Sequence, residues 1–523
     1  MQLRSVLSRR SGFIVWALFL VAGLCSFQNY GISWDEEAQR YAAQISYDYI
    51  RGRDNFLLQW DNRDYGVVFE LLLLGLEKLL RLTQLRDIYL MRHLVTHLFF
   101  LGGAWCFYLL LRRIFQSPFL AVTGLLLLLL HPRIYADSFY NSKDLPFLSM
   151  YAICLNVFSR AFDSERLIVF WMMGVVTGLL TDIRILGILF FASVLFFLFG
   201  QVCFNIARRK SVRQKLLQLT VYVLSSCLTV YLFWPFLWMH PLDGLLHVWK
   251  SMSVFSRWDA SVFFNGAFIH SSKIPWYYLP VWIGITTPVF YVAAAIGGII
   301  LVSVSLLRKS LACFYDADHR LRLLALLTCL GPVLAVIVLH SVVYDAWRQV
   351  FFIYPAFVLL SVWALSELIL FTRNNLILKS AIVFAVLSPL AFTISSFPLS
   401  NVYFNVLAGT RPDEIRHRWE MDYWGLSFRQ GLNYILDHDT SSHIIVRYRE
   451  SPCAATYRIF FAQDRRLELQ HVEETDQLIE RGAGDYFITN YRLFPNDFEQ
   501  CKGNEIYSFR VANSRVCTIF KLR

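Results

Sequence analysis

Three short stretches gather ionisable side chains at the borders of long apolar runs, where charge is expensive and usually lines a pathway or a site. The first is Gly31-Ile-Ser-Trp-Asp-Glu-Glu37. Ser33 and Glu36 have capping-box spacing, so the hydroxyl can cap a helix start while the glutamate answers the Ser33 N–H. That gives Glu36 a structural task and leaves Asp35 in the first turn as a carboxylate able to take a proton. An acidic helix start favoured by the helix dipole accounts for the same residues.

The second stretch, from His131 to Pro146, places His131, Arg133, Asp137, Lys143 and Asp144 within fourteen positions. Snorkelling and capping explain part of this density, with Asp144 opening a helix and Pro146 in its first turn. A binding or catalytic loop explains the rest equally well. The third stretch is Tyr344-Asp-Ala-Trp-Arg-Gln349. The planar fork of Arg348 could receive a phosphate, although a pair between Arg348 and Asp345 needs no ligand. A longer loop adds Arg257, His270 and Lys273 among Trp258, Trp276, Tyr277 and Tyr278. Such rings suit a membrane interface, a sugar face or a lipid chain alike.

The sequence contains no zinc-ligand spacing, phosphate-binding glycine loop, nucleophile elbow or dinucleotide fingerprint. A site outside the cytosol would then draw its energy-rich substrate from the membrane, as a lipid.

The elements that carry these stretches follow from composition. Of 523 residues, 56% are hydrophobic and 17% charged, and mean hydropathy is +0.47. A soluble domain carries roughly 25% charge. So much apolar surface cannot all enter a core, which excludes a soluble enzyme, a disordered chain and a disulfide scaffold. The net charge of +11 divides unevenly: residues 1–400 hold 33 Lys and Arg against 21 Asp and Glu, and residues 401–523 hold 16 against 17. The excess belongs to the apolar part, where basic loops mark the cytoplasmic side, so nucleic acid is not needed to explain it.

Crossing about 30 Å of hydrocarbon takes about 20 apolar residues. Such runs fall near 12–30, 92–111, 117–132, 145–160, 167–181, 185–205, 217–238, 281–307, 323–341, 349–371 and 380–398. The expected fold is an α-helical polytopic membrane protein with about 11 transmembrane helices. Its N-terminus lies inside and its C-terminus outside, because every connection on the N-terminal side is basic. Residues 67–80 are too short to span and carry Glu70, Glu77 and Lys78, as an interfacial helix would. The expected organisation is a membrane domain over 1–400, with external loops at 31–90 and 239–280, and a small external α/β domain over 401–523. There, HIIVRY and DYFITN resemble strands and the last residues a strand-turn-strand. Cys501 and Cys517 flank that hairpin and could pair in an oxidising compartment.

This layout, an acidic pair just after span one followed by many spans and an external C-terminal domain, resembles the GT-C superfamily of membrane glycosyltransferases. Within it, the chain looks most like the protein O-mannosyltransferase and lipid A aminoarabinose transferase group. The resemblance rests on Trp34-Asp35-Glu36, on His131-Pro-Arg133 with Asn141-Ser-Lys-Asp144-Leu-Pro146, and on Tyr344-Asp-Ala-Trp-Arg348. It implies transfer of a sugar from a polyprenyl-phosphate donor to an acceptor hydroxyl of a glycan, lipid or protein. The site would face the exterior of the cytoplasmic (inner) membrane.

The base would be Asp35, within a catalytic set that includes Glu36 and Asp144. Arg348, Arg133, Lys143 and Lys273 would hold the donor phosphate. His131, Asp137, Tyr344 and Asp345 are further site candidates. Members of the group differ in metal use, so a divalent metal is compatible but not required. A lipid-linked sugar flippase would instead place charge at mid-membrane depth and often show repeats. A non-enzymatic envelope assembly protein would leave the three charged stretches without a task.

Overall fold

The computed structural model describes residues 2–164, 166–254, 259–373, 375–472, 484–492, 494–495 and 503–522. Eight of its helices are long and apolar enough to cross a membrane. A ninth span results if Pro118–Leu129 and Pro132–Tyr140, bent by 61°, count as one. The eleven runs expected from hydropathy also include Asp144–Ala161 and Leu167–Ile183, of 18 and 17 residues. The run at 281–307 is two helices, Tyr278–Thr286 and Val289–Arg308. They part before Pro288, which has no N–H to continue the ladder.

The short helix Val68–Leu79 covers only about 18 Å. Its acidic residues turn inward, Glu70 to Arg92 and Glu77 to Arg40, while Leu72 and Leu79 stay exposed. Helix Leu167–Ile183 packs closely on Arg213–Phe233. A Cβ on Gly178 would lie 2.6 Å from the Thr229 Cβ, so small residues set this approach, as is common between helices in lipid. That pairing fixes the turn at Asp182–Arg184. The first loop is tucked against the same turn: a Cβ on Gly66 would meet the Asp182 carbonyl, and Asp182 accepts the N–H groups of Val67 and Val68 at 3.1 and 2.9 Å.

The large loop holds the helix Pro241–Val254 and a hairpin of β1 (Ser261–Phe264) and β2 (Ala267–His270). Arg257 and Trp258 lie outside the described residues. The C-terminal sheet contains β3 (Ile444–Tyr448), β4 (Leu467–His471), β5 (Tyr486–Thr489), β6 (Asn504–Val511) and β7 (Ser514–Lys521) in the order β4-β3-β5-β7-β6. Strands β4, β3 and β5 are parallel; β7 is antiparallel to both β5 and β6. The β6–β7 turn uses Ala512 and Asn513, both at positive φ as a tight hairpin requires. Cys517 is buried in this domain, and Cys501 lies outside the described residues.

The core of the C-terminal domain starts at Phe428. Residues between 402 and 426, such as Val402, Phe404, Trp419 and Trp424, belong to the large core of the helical bundle instead. Asn405 stitches this segment down by donating to the carbonyls of Gly284 and Thr287 at 2.6 and 2.7 Å.

Candidate active site

The chain enters the site after the first helix. Glu36 accepts the Ser33 N–H at 2.7 Å, as capping-box spacing predicts, but the Ser33 hydroxyl donates to the Tyr140 carbonyl rather than to the helix. The other Glu36 oxygen lies 2.8 Å from His93 Nε2. Glu36 is therefore buried with both oxygens engaged. Asp35, one residue earlier, makes no cap bond, and its side chain keeps 34% of its exposure.

Asp144 opens the helix Asp144–Ala161 and is held by Asn141. The Asn141 side-chain oxygen accepts the Asp144 N–H at 2.8 Å, and its amide donates to the Asp144 carboxylate at 3.1 Å. Arg184, from the turn after Leu167–Ile183, bonds the other Asp144 oxygen. With 2% of its side chain exposed, Asp144 is closed to an incoming acceptor.

Arg348 joins these pieces. Its Nη1 donates to Asp35 at 3.0 Å and to Asp144 at 3.4 Å, while Nε and Nη2 both lie 3.0 Å from one Asp345 oxygen. The guanidinium lies between the rings of Tyr344 and Trp424, at 5.1 and 4.6 Å. The loop that presents it is strained, with Asp345 and Ala346 at φ +52° and +64°. Left-handed backbone costs about 1–2 kcal/mol per L-residue, so the ion pairs must hold the turn.

The C-terminal domain closes the cluster. Arg492 donates to the free oxygen of Asp345 at 2.8 Å and to the Tyr423 carbonyl at 2.6 Å, and lies 3.0 Å from Glu420. Burial pushes the Glu420 carboxyl up to about 7 against the opposing pull of Arg492. Burial, then the neighbouring Arg184 charge, pushes Lys143 well below the ordinary lysine range. Burial and the Arg348 charge lower Arg184 to about 10, which leaves it cationic at neutral pH.

Beside the cluster lies a cavity of about 160 Å³. Its polar lining is Asp64, Tyr65, Arg184, Ser341, Tyr344 and Gln349, with Asp64 held 3.2 Å from His247, and its other walls are Ile185, Leu186, Val336, Val342, Val343 and Val350. The Asp35 charge reaches the two tyrosines, helping burial to raise both phenols. Lys143 stands 3.3 Å from the centre of the Tyr65 ring.

The structure thus brings together Asp35, Asp144, Lys143, Tyr344, Asp345 and Arg348. Arg133 goes elsewhere: it donates to the Tyr403 carbonyl at 3.0 Å and packs on Phe404 and Trp282. His131 accepts the Ile134 N–H at the start of its helix and packs against Tyr354. Asp137 lies beside the cluster: it accepts from Tyr140 and Trp424 at 2.7 and 3.3 Å and, at 3.3 Å, from the Asn141 amide that also holds Asp144. Lys273 is exposed in the large loop.

Arg184, Glu420 and Arg492 also join this cluster, although none lies in the three charged stretches. Arg184 carried a signal, a lone cation in a short turn between two apolar runs. The other two carried none, since their partners lie 72 or more positions away.

Among the described residues, three His or Asp side chains with ligand atoms within 4.8 Å occur at Asp316, Asp318 and His319, at the opposite end of the bundle. A cation at Asp35 and Asp144 would have to displace Arg348.

A helical bundle with a charged centre built from its loops at one end defines a polytopic membrane protein with a site at the bilayer border. Residues 85–235 match the family described as dolichyl-phosphate-mannose-protein mannosyltransferase. That match covers under a third of the chain and is to a family of GT-C type, the class of membrane glycosyltransferases that the sequence resembles. The matched segment includes Asp144 and Arg184 but not Asp35, Arg348 or the C-terminal domain.

No curated protein sequence matches the chain. Among solved structures, the Archaeoglobus fulgidus oligosaccharyltransferase in the apo form is similar at 11% identity and TM-score 0.47, over 92% of this chain and 69% of that one. ArnT from Cupriavidus metallidurans bound to undecaprenyl phosphate is similar at 12% identity and TM-score 0.47, over 98% of both chains. Neither likeness carries any part of the functional reading.

Proposed function

We propose that this glycosyltransferase takes its sugar from a polyprenyl-phosphate donor and passes it to an acceptor hydroxyl with inversion. The observation that carries the reading is a partly exposed carboxylate, Asp35, held by Arg348 beside a cavity with Arg184 in its polar lining and aliphatic side chains along its other walls. A phosphate on a hydrocarbon chain has the same division. The donor phosphate meets Arg184 and Lys143, and the chain runs along Ile185, Leu186, Val342 and Val350. The anionic phosphodiester of the donor would also favour the charged form of Lys143, and the second charge that develops on the departing polyprenyl phosphate would favour it further.

Asp35 takes the acceptor hydroxyl proton as that oxygen bonds to the anomeric carbon. The bond from that carbon to the phosphate oxygen breaks, and its electron pair leaves with the polyprenyl phosphate. One displacement inverts the centre, by the geometry of inverting glycoside hydrolysis. Arg348, already engaged by three carboxylates, aims Asp35 and Asp144 rather than serving as the first phosphate ligand, and Glu36 fixes the turn that presents Asp35. The basic loops at the opposite end support a site on the exterior face of the cytoplasmic membrane.

The test is transfer by the purified protein in lipid nanodiscs, from a panel of polyprenyl-phosphate sugars to hydroxyl acceptors, read by mass spectrometry. The expected product has inverted anomeric configuration. No transfer from any such donor, or full activity of Asp35→Asn, would overturn the reading.

A further inference from the structure

The parallel strands of the C-terminal sheet run in the order β4-β3-β5, so the chain leaves β3 to one side for β4 and returns to its other side for β5. The carboxyl ends of β3 and β5 therefore form a topological switch point, the place where open α/β sheets ordinarily present ligand-contacting residues. Here that edge faces the helical bundle. Asn490, just past β5, donates to the Asp422 carbonyl at 2.9 Å. Two residues on, Arg492 bonds the Tyr423 carbonyl, Glu420 and Asp345, and lies 4.7 Å from the Trp34 ring. Trp34 immediately precedes Asp35.

Other contacts seat the domain firmly. Arg429 donates to the Tyr30 carbonyl at 2.6 Å and Arg458 pairs with Glu37, while in the segment leading into the domain the Trp424 carbonyl accepts the Trp34 N–H at 3.2 Å. The Trp424 ring also covers one face of Arg348.

We propose that the C-terminal domain completes the catalytic centre, with Arg492 as a positioning residue that acts through Asp345 on Arg348. Asp345 bonds Arg348 through one oxygen and Arg492 through the other, and it sits in the left-handed backbone of the turn. Arg492 clamps that turn from outside. Without it, Asp345 and Arg348 are free to relax as a local pair, and Arg348 loses its aim on Asp35 and Asp144. This inference rests on the transferase reading for its catalytic consequence, though not for the coupling itself.

The coupling is read by hydrogen exchange of the full-length protein in nanodiscs. Arg492→Met should speed exchange across residues 344–350 at least tenfold, and Arg492→Lys should restore part of the protection. The helix interior at 356–368 should be unchanged in both. No change at 344–350, or equal loss throughout the bundle, would overturn the proposal.

Kinetics supply the second arm. Arg492→Met should raise donor KM and lower kcat, with Arg492→Lys in between. Combining Arg492→Met with Asp345→Asn should cost little beyond the more damaging single change. Fully additive losses would overturn it. Wild-type protein inactive with every polyprenyl-phosphate sugar would instead sink the transferase reading, and hydrogen exchange would then decide the coupling alone.

Discussion

The two ends of the helical bundle both carry arginine–carboxylate pairs, yet they are built differently. At the end opposite the site, Arg113 pairs with Asp163 at 37% and 40% exposure, and Arg322 pairs with Asp318 one helical turn away. Arg320 donates to the carbonyls of Cys313 and Phe314, seven and six residues back. These contacts are exposed or local. At the site end, Arg348 reaches Asp35 across 313 positions and Asp144 across 204, and Arg492 reaches Asp345 across 147. Those side chains are mostly buried.

Exposed pairs contribute roughly 0–1 kcal/mol, whereas removing one partner of a buried pair costs about 3–5 kcal/mol. One end therefore holds charges that tolerate water and salt. The other holds, around Arg348, charges that only a completed fold can satisfy, and among the three carboxylates on that guanidinium only Asp35 is partly open.

The contrast can be broken most sharply at Asp35. Asp35→Asn should lower transfer by about 10²–10⁴-fold, the usual contribution of a general base, with donor affinity unchanged in a binding assay. Next comes Asp144→Asn, which leaves Arg184 and Arg348 short of a buried partner. It should lower stability by about 3–5 kcal/mol, read as a drop in melting temperature of the detergent-solubilised protein.

Glu420 gives a pH signature. Its folded-state carboxyl lies at about 7, above its ordinary value, so the folded protein holds the proton more tightly than the unfolded chain. Stability should therefore fall as pH rises from about 4.5 through 7, then level off, by about 3 kcal/mol at most. Glu420→Gln should flatten that slope and melt higher than wild type at pH 8, with no difference below pH 4.5. A steeper slope in the variant would be the opposite result.

Arg184→Met should raise donor KM about tenfold, equivalent to about 1.4 kcal/mol, with a smaller effect on kcat. The smallest effect belongs to the other end. Asp163→Asn should change stability by under about 1 kcal/mol and leave transfer untouched. A loss there as large as that of Asp144→Asn would erase the distinction between the ends.

Much of this was legible from local pattern. Apolar runs announced the helices, because lipid demands continuous hydrocarbon. Capping-box spacing announced that Glu36 would face inward to Ser33, and β-branched runs announced β3 and β5. The three charged stretches could be found because charge beside lipid is conspicuous. Where each guanidinium would point was not legible. Arg348 could bind phosphate or pair with Asp345, and the fold gives it three carboxylates; Arg133 stands behind it as a phosphate ligand, and it packs on aromatic rings instead.

The sequence by itself determined a membrane protein, most of its long apolar helices, a small C-terminal sheet, and the loops where chemistry could occur. Each depends on periodicity or composition within some twenty residues. The tertiary structure decided which charges meet, that Asp35 rather than Asp144 stays open, and that a C-terminal arginine reaches the centre. Those outcomes depend on residues brought together from across the chain, and no local signal encodes such a meeting.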